Sequence, residues 1–217
     1  MTSWLPMSDD FVPDPLHLIE YFSGSARISK LAHAMGYQVR AFDVDYDHPA
    51  PWAESSFSGR RKRSSYDING EAGIVLAVLL LLQGSWDTLS MVAVVCSSWS
   101  VVNRHSSQRN ELVPEGQTRS ASVMNGNKMV SRVSLLLLLI GCLGSSYILE
   151  NPERSIILEY PRLRWTFRAL KCLGVSVYRF TFPMAAFGAP TKKPTMLITN
   201  NVALRKLLGK KRKNSTQ

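Results

Sequence analysis

The chain of 217 residues is 45% hydrophobic and 19% charged, and it carries a formal net charge of +10. These proportions are typical of a packed globular protein with one sizeable domain, and they exclude collagen-like, disordered and small disulfide-stapled chains. The three cysteines are far apart and form no CxxC pair, so we expect no disulfide framework, no metal site and an intracellular location. The first 16 residues contain acids and prolines but no apolar core, unlike a signal peptide.

Strands and helices are predicted to alternate along the chain. The first half begins with a strand over 16–22, a Ser23-Gly24-Ser25 turn, and a helix over 26–35 that Gly36 ends. A strand over 38–44 follows, then a basic loop over 48–65 and a short strand over 66–68. A helix through the first leucine run to Gln83 and an almost entirely apolar strand over 89–96 complete this half.

The second half continues the alternation after a polar loop. A long helix is predicted over 120–142, a strand over 146–151, a helix over 162–173, and two last strands over 175–182 and 195–199. The connection between these two strands is too short for a helical crossover, so they are predicted to be antiparallel neighbours. The pattern indicates a doubly wound, mostly parallel α/β sandwich with an antiparallel last strand. This domain covers 16–200, between an N-terminal extension (1–15) and a basic tail (201–217).

Two leucine-rich runs, 74–82 and 133–149, raise the question of a membrane. The first has nine residues, far fewer than the roughly 20 that a spanning helix needs, and glycines and serines interrupt the second. Buried helices of an α/β sandwich explain both runs better, so no membrane partner is expected.

The excess positive charge lies in two patches. Positions 60–63 are four consecutive basic residues, and six basic residues without an acid follow Asn201. The basic residues of the tail are Arg205, Lys206, Lys210, Lys211, Arg212 and Lys213. Such patches suit a polyanion, which predicts a nucleic-acid partner and a nuclear or nucleoid-associated location. A solvated loop and a frayed chain end explain charge runs equally well.

Polar residues are expected at the carboxyl ends of the strands, where α/β sheets bind ligands. The glycine turn follows the first strand, and Asp43 and Asp45 end the second about 20 residues later, where a carboxylate can hold the hydroxyls of a ribose. The full GxGxxG pattern is missing, which disfavours close contact with a pyrophosphate. The segment therefore predicts an adenosine-type ligand without phosphates.

A second group of polar residues follows the later strands. Cys96 precedes a Ser-Ser turn, and Glu150 ends an apolar strand where an unpaired acid would be costly to bury. This pattern favours a cysteine nucleophile over a small core residue, with Arg104 as a candidate cation to lower the thiol pKa. Cys142 and Cys172 lie within leucine-rich helices and are predicted to belong to the core.

Four motifs in order resemble the cytosine-5 DNA methyltransferases. They are FSGSARISKLAHAMGYQVRAFDVD, VVCSSWS, ILENPERS and FGAPTKKPTMLITN. The likeness covers residues 16–200 and is strongest to the compact phage-type branch and to short proteins of protists. It implies a Rossmann-like methyltransferase sandwich that uses S-adenosylmethionine to methylate cytosine C5 in DNA.

The resemblance also implies roles for individual residues. The cofactor-binding residues would be Phe22, Ser23, Gly24 and Ser25 around the methionine part, Asp43 at the ribose, and Asp67 and Ile68 near the adenine. Cys96 would attack C6 of a flipped cytosine, with Glu150 at its N3 edge and Asn151 beside it. Lys192 and Lys193 would meet the nucleic-acid backbone. Independently of the resemblance, charge and position predict that Arg104 and the tail residues Lys210, Lys211, Arg212 and Lys213 bind nucleic acid.

The chain also departs from the family pattern. Val94 and Val95 stand where two prolines are usual, and the Thr191-Lys192-Lys193 segment replaces an arginine-rich motif. The 17 residues after Asn200 are too few for a target-recognition domain. Two other functions therefore stay open: a catalytically inactive Rossmann-like module that binds nucleic acid, and a methyltransferase with a non-cytosine substrate in which Cys96 is structural.

Overall fold

The computed structural model describes residues 15–47, 64–204 and 206, and in them six strands form one sheet in the order β2-β1-β3-β4-β6-β5. The strands are β1 (Leu16–Tyr21), β2 (Val39–Phe42), β3 (Gly84–Ala93), β4 (Ser146–Pro152), β5 (Tyr178–Pro183) and β6 (Pro194–Thr199). Strands β1 to β4 are parallel, whereas β6 is antiparallel to both β4 and β5. The predicted mixed α/β fold with an antiparallel last strand is confirmed.

Helices alternate with the strands along the chain. They are α1 (Arg27–Ala34), α2 (Glu71–Leu82), α3 (Arg104–Ser107), α4 (Ala121–Cys142) and α5 (Pro161–Cys172). Helix α1 packs against β1 and β2, and α4 packs against α5. The predicted helices agree with α1, α4 and α5, and with the end of α2, to within one or two residues, because glycine turns and apolar periodicity mark their ends.

One predicted strand is absent, and the strand predicted over 89–96 lies earlier in the chain, as β3. Residues 66–68 form a turn, in which the Asp67 carboxylate accepts the Asn69 N–H at 2.9 Å and the Asp67 carbonyl accepts the Gly70 N–H at 2.7 Å. This local hydrogen bonding competes with a sheet ladder. Strand β3 ends at Ala93, so Cys96 lies three residues beyond it and begins a short 3-10 turn.

The core lies between the sheet and the helices that follow β2, β3 and β4. The fully buried side chains include Ile19, Val92, Tyr147 and Leu149 from the strands and Leu136, Leu137 and Ile140 from α4. By length and composition alone α4 could cross a membrane, and 44% of its most apolar window is buried inside the protein.

Cys142 and Cys172 do not belong to this core. Both thiols are exposed, because each cysteine is the last residue of its helix. Ile140 and Leu170, two residues earlier, are fully buried, and two helical residues correspond to a rotation of about 200° about the axis. The prediction that these cysteines are buried is therefore wrong.

A glycine fixes the approach of α2 to the turn after β2. A Cβ atom at Gly73 would lie 1.9 Å from the carbonyl oxygen of Asp67, so only glycine lets the helix pack this closely.

Three predicted segments lie outside the described residues. They are the N-terminal extension up to residue 14, residues 48–63 of the basic loop, and Lys210, Lys211, Arg212 and Lys213 of the tail.

Candidate functional site

The loops after β1 and β2 are joined by one carboxylate. The Gly24 N–H donates to Asp43 Oδ2 at 2.7 Å, and the Asp45 N–H donates to Asp43 Oδ1 at 3.1 Å. Gly24 has a φ of +51°, in the left-handed region, and nothing lies within 4 Å of the position of a Cβ there. Because a carboxylate has about four acceptor positions, Asp43 can still accept two hydroxyl groups.

Tyr46 holds the same loop from outside. Its hydroxyl lies 2.6 Å from Ser23 Oγ and donates to the Gly24 carbonyl at 3.0 Å. Phe22 has a φ of +60°, which is strained for a residue with a side chain, and its N–H donates to the Phe42 carbonyl at 2.8 Å. The loop thus has a fixed shape, with Ser25 exposed at its tip. Sequence analysis missed Tyr46, which lies in a polar stretch.

Four aromatic rings extend from the core to this edge of the sheet. The ring centroids are 5.8 Å apart for Tyr21 and Phe42, 5.5 Å for Phe42 and Tyr66, and 6.2 Å for Tyr66 and Tyr46. The outermost ring, Tyr46, is partly exposed and follows Asp43 by three residues. An exposed aromatic edge beside a carboxylate suits a flat heterocycle joined to a ribose.

Asp67 and Ile68 follow Tyr66 at the same edge. Ile68 is buried, and its carbonyl accepts from Arg132 Nη1 of α4, which also donates to the Gly70 carbonyl at 2.5 Å. The Asp67 carboxylate is half-buried. The structure therefore brings the predicted cofactor residues of β1, β2 and the 64–70 turn to one edge of the sheet.

A buried acid supports α1 beneath this loop. Glu20 of β1 is 5% exposed, and its Oε2 accepts the Ser29 N–H at 2.8 Å. The residue before the helix, Ala26, has no side-chain cap, so Glu20 satisfies a first-turn N–H from a distance. Sequence analysis missed Glu20, since a glutamate within an apolar strand gives no capping signal.

Cys96 is half-buried in the turn that follows β3. Its carbonyl accepts the N–H groups of Trp99 at 3.0 Å and Ser100 at 2.9 Å. Asn151 is fully buried, and its Nδ2 donates to the carbonyls of Val94 at 3.2 Å and Glu150 at 3.1 Å. Asn151 therefore joins the end of β4 to the segment that leads into Cys96.

Glu150 has a cationic partner. In the parallel pairing of β3 and β4 it lies beside Ala93, and its Oε1 is 3.5 Å from Lys193 Nζ. Lys193 precedes β6, and its carbonyl accepts the Met184 N–H at 2.9 Å; Lys192 is exposed. The structure thus brings Glu150, Asn151 and Lys193 together next to the segment before Cys96.

The loop after Cys96 is built around a buried arginine. Arg109 is only 1% exposed, and its Cζ lies 3.5 Å from the centroid of the Trp99 ring. The guanidinium donates to Pro114 O at 2.5 Å, Asn127 Oδ1 at 2.8 Å, Val123 O at 3.2 Å and Ser98 Oγ at 3.4 Å. These bonds connect the turn at Cys96, the rest of the loop and the first turns of α4.

Arg109 stays protonated although it is buried. Burial lowers the pKa of Arg109 to about 10, while the nearby Tyr160 and Glu115 act to raise it, so the side chain is cationic at neutral pH. Gly126 of α4 makes room for the cluster, because a Cβ there would lie 2.5 Å from Ser98 Oγ. Arg104, the predicted cation of this loop, is instead exposed at the start of α3.

Within residues 15–47 and 64–204, no group of three or more His, Cys, Asp or Glu side chains could hold a metal ion.

No protein-family model and no curated protein sequence matches the chain. Among solved structures it is similar to the Entamoeba histolytica methyltransferase EhMeth, with 10% identity and a TM-score of 0.49. The alignment covers 86% of this chain and 53% of EhMeth, so the chain spans about half the length of that protein.

Proposed function

We propose that the protein is an S-adenosylmethionine-dependent methyltransferase that acts on cytosine C5 in DNA through Cys96. The observation that carries the proposal is the junction of β3 and β4. There Glu150 is paired with Lys193 at 3.5 Å, and Asn151 binds the carbonyl of Val94, two residues before Cys96. This chemistry needs a nucleophile, an acid and a cation, and Cys96, Glu150 and Lys193 would supply them at the end of the sheet where β3 and β4 finish.

The edge formed by β1 and β2 fits the cofactor. Open space above Gly24, the Asp43 carboxylate and the partly exposed Tyr46 ring would receive the methionine part, the ribose and the adenine, respectively. When bound, S-adenosylmethionine supplies an electrophilic methyl group. The left-handed backbone of Gly24 and its hydrogen bond to Asp43 fix the shape of the loop. A long side chain at position 24 would fill the open space that the cofactor needs.

Each residue of the second group has a defined task in this proposal. The Cys96 thiolate adds to C6 of a cytosine that has left the base stack, which makes C5 nucleophilic. Glu150 holds the N3 edge and supports its protonation. Lys193 keeps the Glu150 carboxylate in place before the base enters, and Asn151 keeps the Cys96 segment against β4.

Covalent capture tests the proposal. A duplex with 5-fluorocytosine is incubated with the protein and S-adenosylmethionine, because fluorine at C5 prevents release of the cysteine once the methyl group has been added. We expect a denaturation-resistant adduct that contains one oligonucleotide and is linked at Cys96. Cofactor binding without capture on any cytosine-containing sequence would favour a non-cytosine substrate, and neither binding nor capture would favour the inactive module.

Asp43→Asn is expected to weaken binding of S-adenosylmethionine by roughly 1–3 kcal/mol in calorimetry. In the variant an NH₂ donor replaces one of the two carboxylate oxygens, which accept the Gly24 and Asp45 N–H groups and would accept the ribose hydroxyls. Asp45→Asn is the matched control, because it makes the same charge change two residues away and should alter the affinity less than threefold. Equal losses in the two variants would contradict a specific role for Asp43.

A further inference from the structure

A groove lies along the contact between α4 and α5 and is lined by residues of both helices. This open groove has a volume of about 670 Å³, within the range of ligand-binding pockets. The lining residues are Ser131, Ser134, Leu135, Leu138, Pro161, Arg162, Arg164, Trp165, Thr166 and Arg168. The groove is separate from the Gly24–Asp43 edge and from the Glu150–Lys193 pair, and none of its lining residues is an acid.

Three exposed arginines give the groove its charge. In the described part of the chain, no ion pair involves Arg162 or Arg168. Arg164 Nη1 lies 3.5 Å from Glu159 Oε2, but both side chains are well exposed, so this pair is weak. Guanidinium groups bind phosphates in a bidentate manner, and three arginines line the groove.

An indole ring lies among these arginines. Trp165 is 61% exposed and precedes Arg168 by three residues on the same helix. The hydroxyls of Ser134 and Thr166 already donate to the carbonyls of Val130 and Ser134, so they offer little to a ligand. The groups available are cations and a flat aromatic face, the combination that binds phosphates and stacked bases in single strands.

Buried side chains link the groove to the loop that holds Cys96. Tyr160, directly before α5, has its hydroxyl 3.0 Å from Ser131 Oγ in the groove. Its ring packs edge-on against Trp99 with a centroid distance of 5.3 Å, and Trp99 follows Cys96 by three residues. The groove and the Cys96 turn are therefore joined through two buried aromatic side chains.

We propose that the α4–α5 groove binds single-stranded nucleic acid, with phosphates on Arg162, Arg164 and Arg168 and a base stacked on Trp165. The inference rests on the proposed function for the identity of the ligand. An acidic peptide is the competing occupant, because Leu135 and Leu138 give the groove an apolar floor. The exposed indole among the guanidinium groups favours the nucleic acid.

The first test compares two triple variants by binding to labelled oligothymidylate at several salt concentrations. Arg162, Arg164 and Arg168 are changed to Gln in one, and the exposed Arg27, Arg40 and Arg179 in the other, so both lose three positive charges. We expect the groove variant to lose at least tenfold in affinity and its salt slope to fall by about 2, from roughly 0.7 per phosphate contact. The control should change less than threefold.

The second test addresses stacking. Trp165→Ala should weaken binding to oligothymidylate roughly tenfold and leave binding to an abasic strand unchanged. Trp86→Ala is the control, because Trp86 is 76% exposed on β3, outside the groove. The oligonucleotide should no longer quench tryptophan fluorescence in Trp165→Ala, whereas the quenching should persist in Trp86→Ala.

Three results would overturn the proposal: no binding of oligothymidylate by the wild type, equal losses in the two triple variants, or equal competition by polyglutamate. The last would assign the groove to an acidic protein partner. Oligothymidylate contains no cytosine, so binding at the groove is measured apart from the chemistry at Cys96. Failed capture with intact groove binding would reject the proposed function alone, and the reverse would reject the groove alone.

Discussion

Replacing Arg109 with alanine is expected to lower the free energy of unfolding by about 3 kcal/mol or more. The change strands the carbonyls of Pro114 and Val123 and the Asn127 side chain in a buried region, and it removes the cation above Trp99. Arg109→Lys should also destabilise, but less, because lysine keeps the charge and loses the planar fork. Denaturant unfolding measures both effects. Arg104→Ala, an exposed change in the same loop, should cost less than about 0.5 kcal/mol.

The Arg109→Lys variant also allows the accessibility of the Cys96 thiol to be measured, without any assumption about activity. Cys142 and Cys172 are exposed and serve as internal standards for thiol modification under native conditions. In Arg109→Lys we expect Cys96 to be modified faster relative to these two, since the turn at Ser98 loses part of its support. An unchanged ratio, or a loss of stability in Arg104→Ala as large as in Arg109→Ala, would show that Arg109 does not organise this loop.

The order of strands and helices could be predicted from the sequence because it depends on local patterns. Short segments rich in Leu, Ile, Val and Tyr mark β1, β3 and β4, and glycines such as Gly36 mark helix ends. The antiparallel β6 could be predicted from the short connection that precedes it. The turn at 66–68 could not, because Tyr66 and Ile68 suit a strand and only the hydrogen bonds of Asp67 decide otherwise.

The residues that sequence analysis missed share one property. Arg109 lies in a polar stretch where a basic residue indicates solvent, yet α4 and Trp99 enclose it. Glu20 and Tyr46 act on backbone groups that are 9 and 22 residues away in the chain. These roles arise from tertiary packing, and neither residue spacing nor composition carries that information. Conversely, the pairing of Glu150 with Lys193 joins two predicted site residues whose contact could not be predicted.

Cys96→Ser is expected to reduce methyl transfer roughly 10³-fold or more while leaving binding of S-adenosylmethionine within twofold of the wild type. The hydroxyl is a far weaker nucleophile than the thiolate, and the cofactor residues lie in the loops after β1 and β2 and in the 64–70 turn, none of which contains Cys96. Cys142→Ser and Cys172→Ser are matched controls, because both thiols are exposed at helix ends, and these variants should keep full activity.

Glu150→Gln is expected to slow transfer about 10²–10⁴-fold, because the amide cannot support protonation at N3. Lys193→Gln should cost less, since it removes the partner and leaves the carboxylate. If Lys193 acts by holding Glu150, the double variant should be no slower than Glu150→Gln alone, which gives a coupling energy in a double-mutant cycle. Additive losses would instead mean that Lys193 contacts the nucleic acid independently. Methylation of cytosine that persists in Cys96→Ser would exclude the cysteine mechanism, whatever the cycle gives.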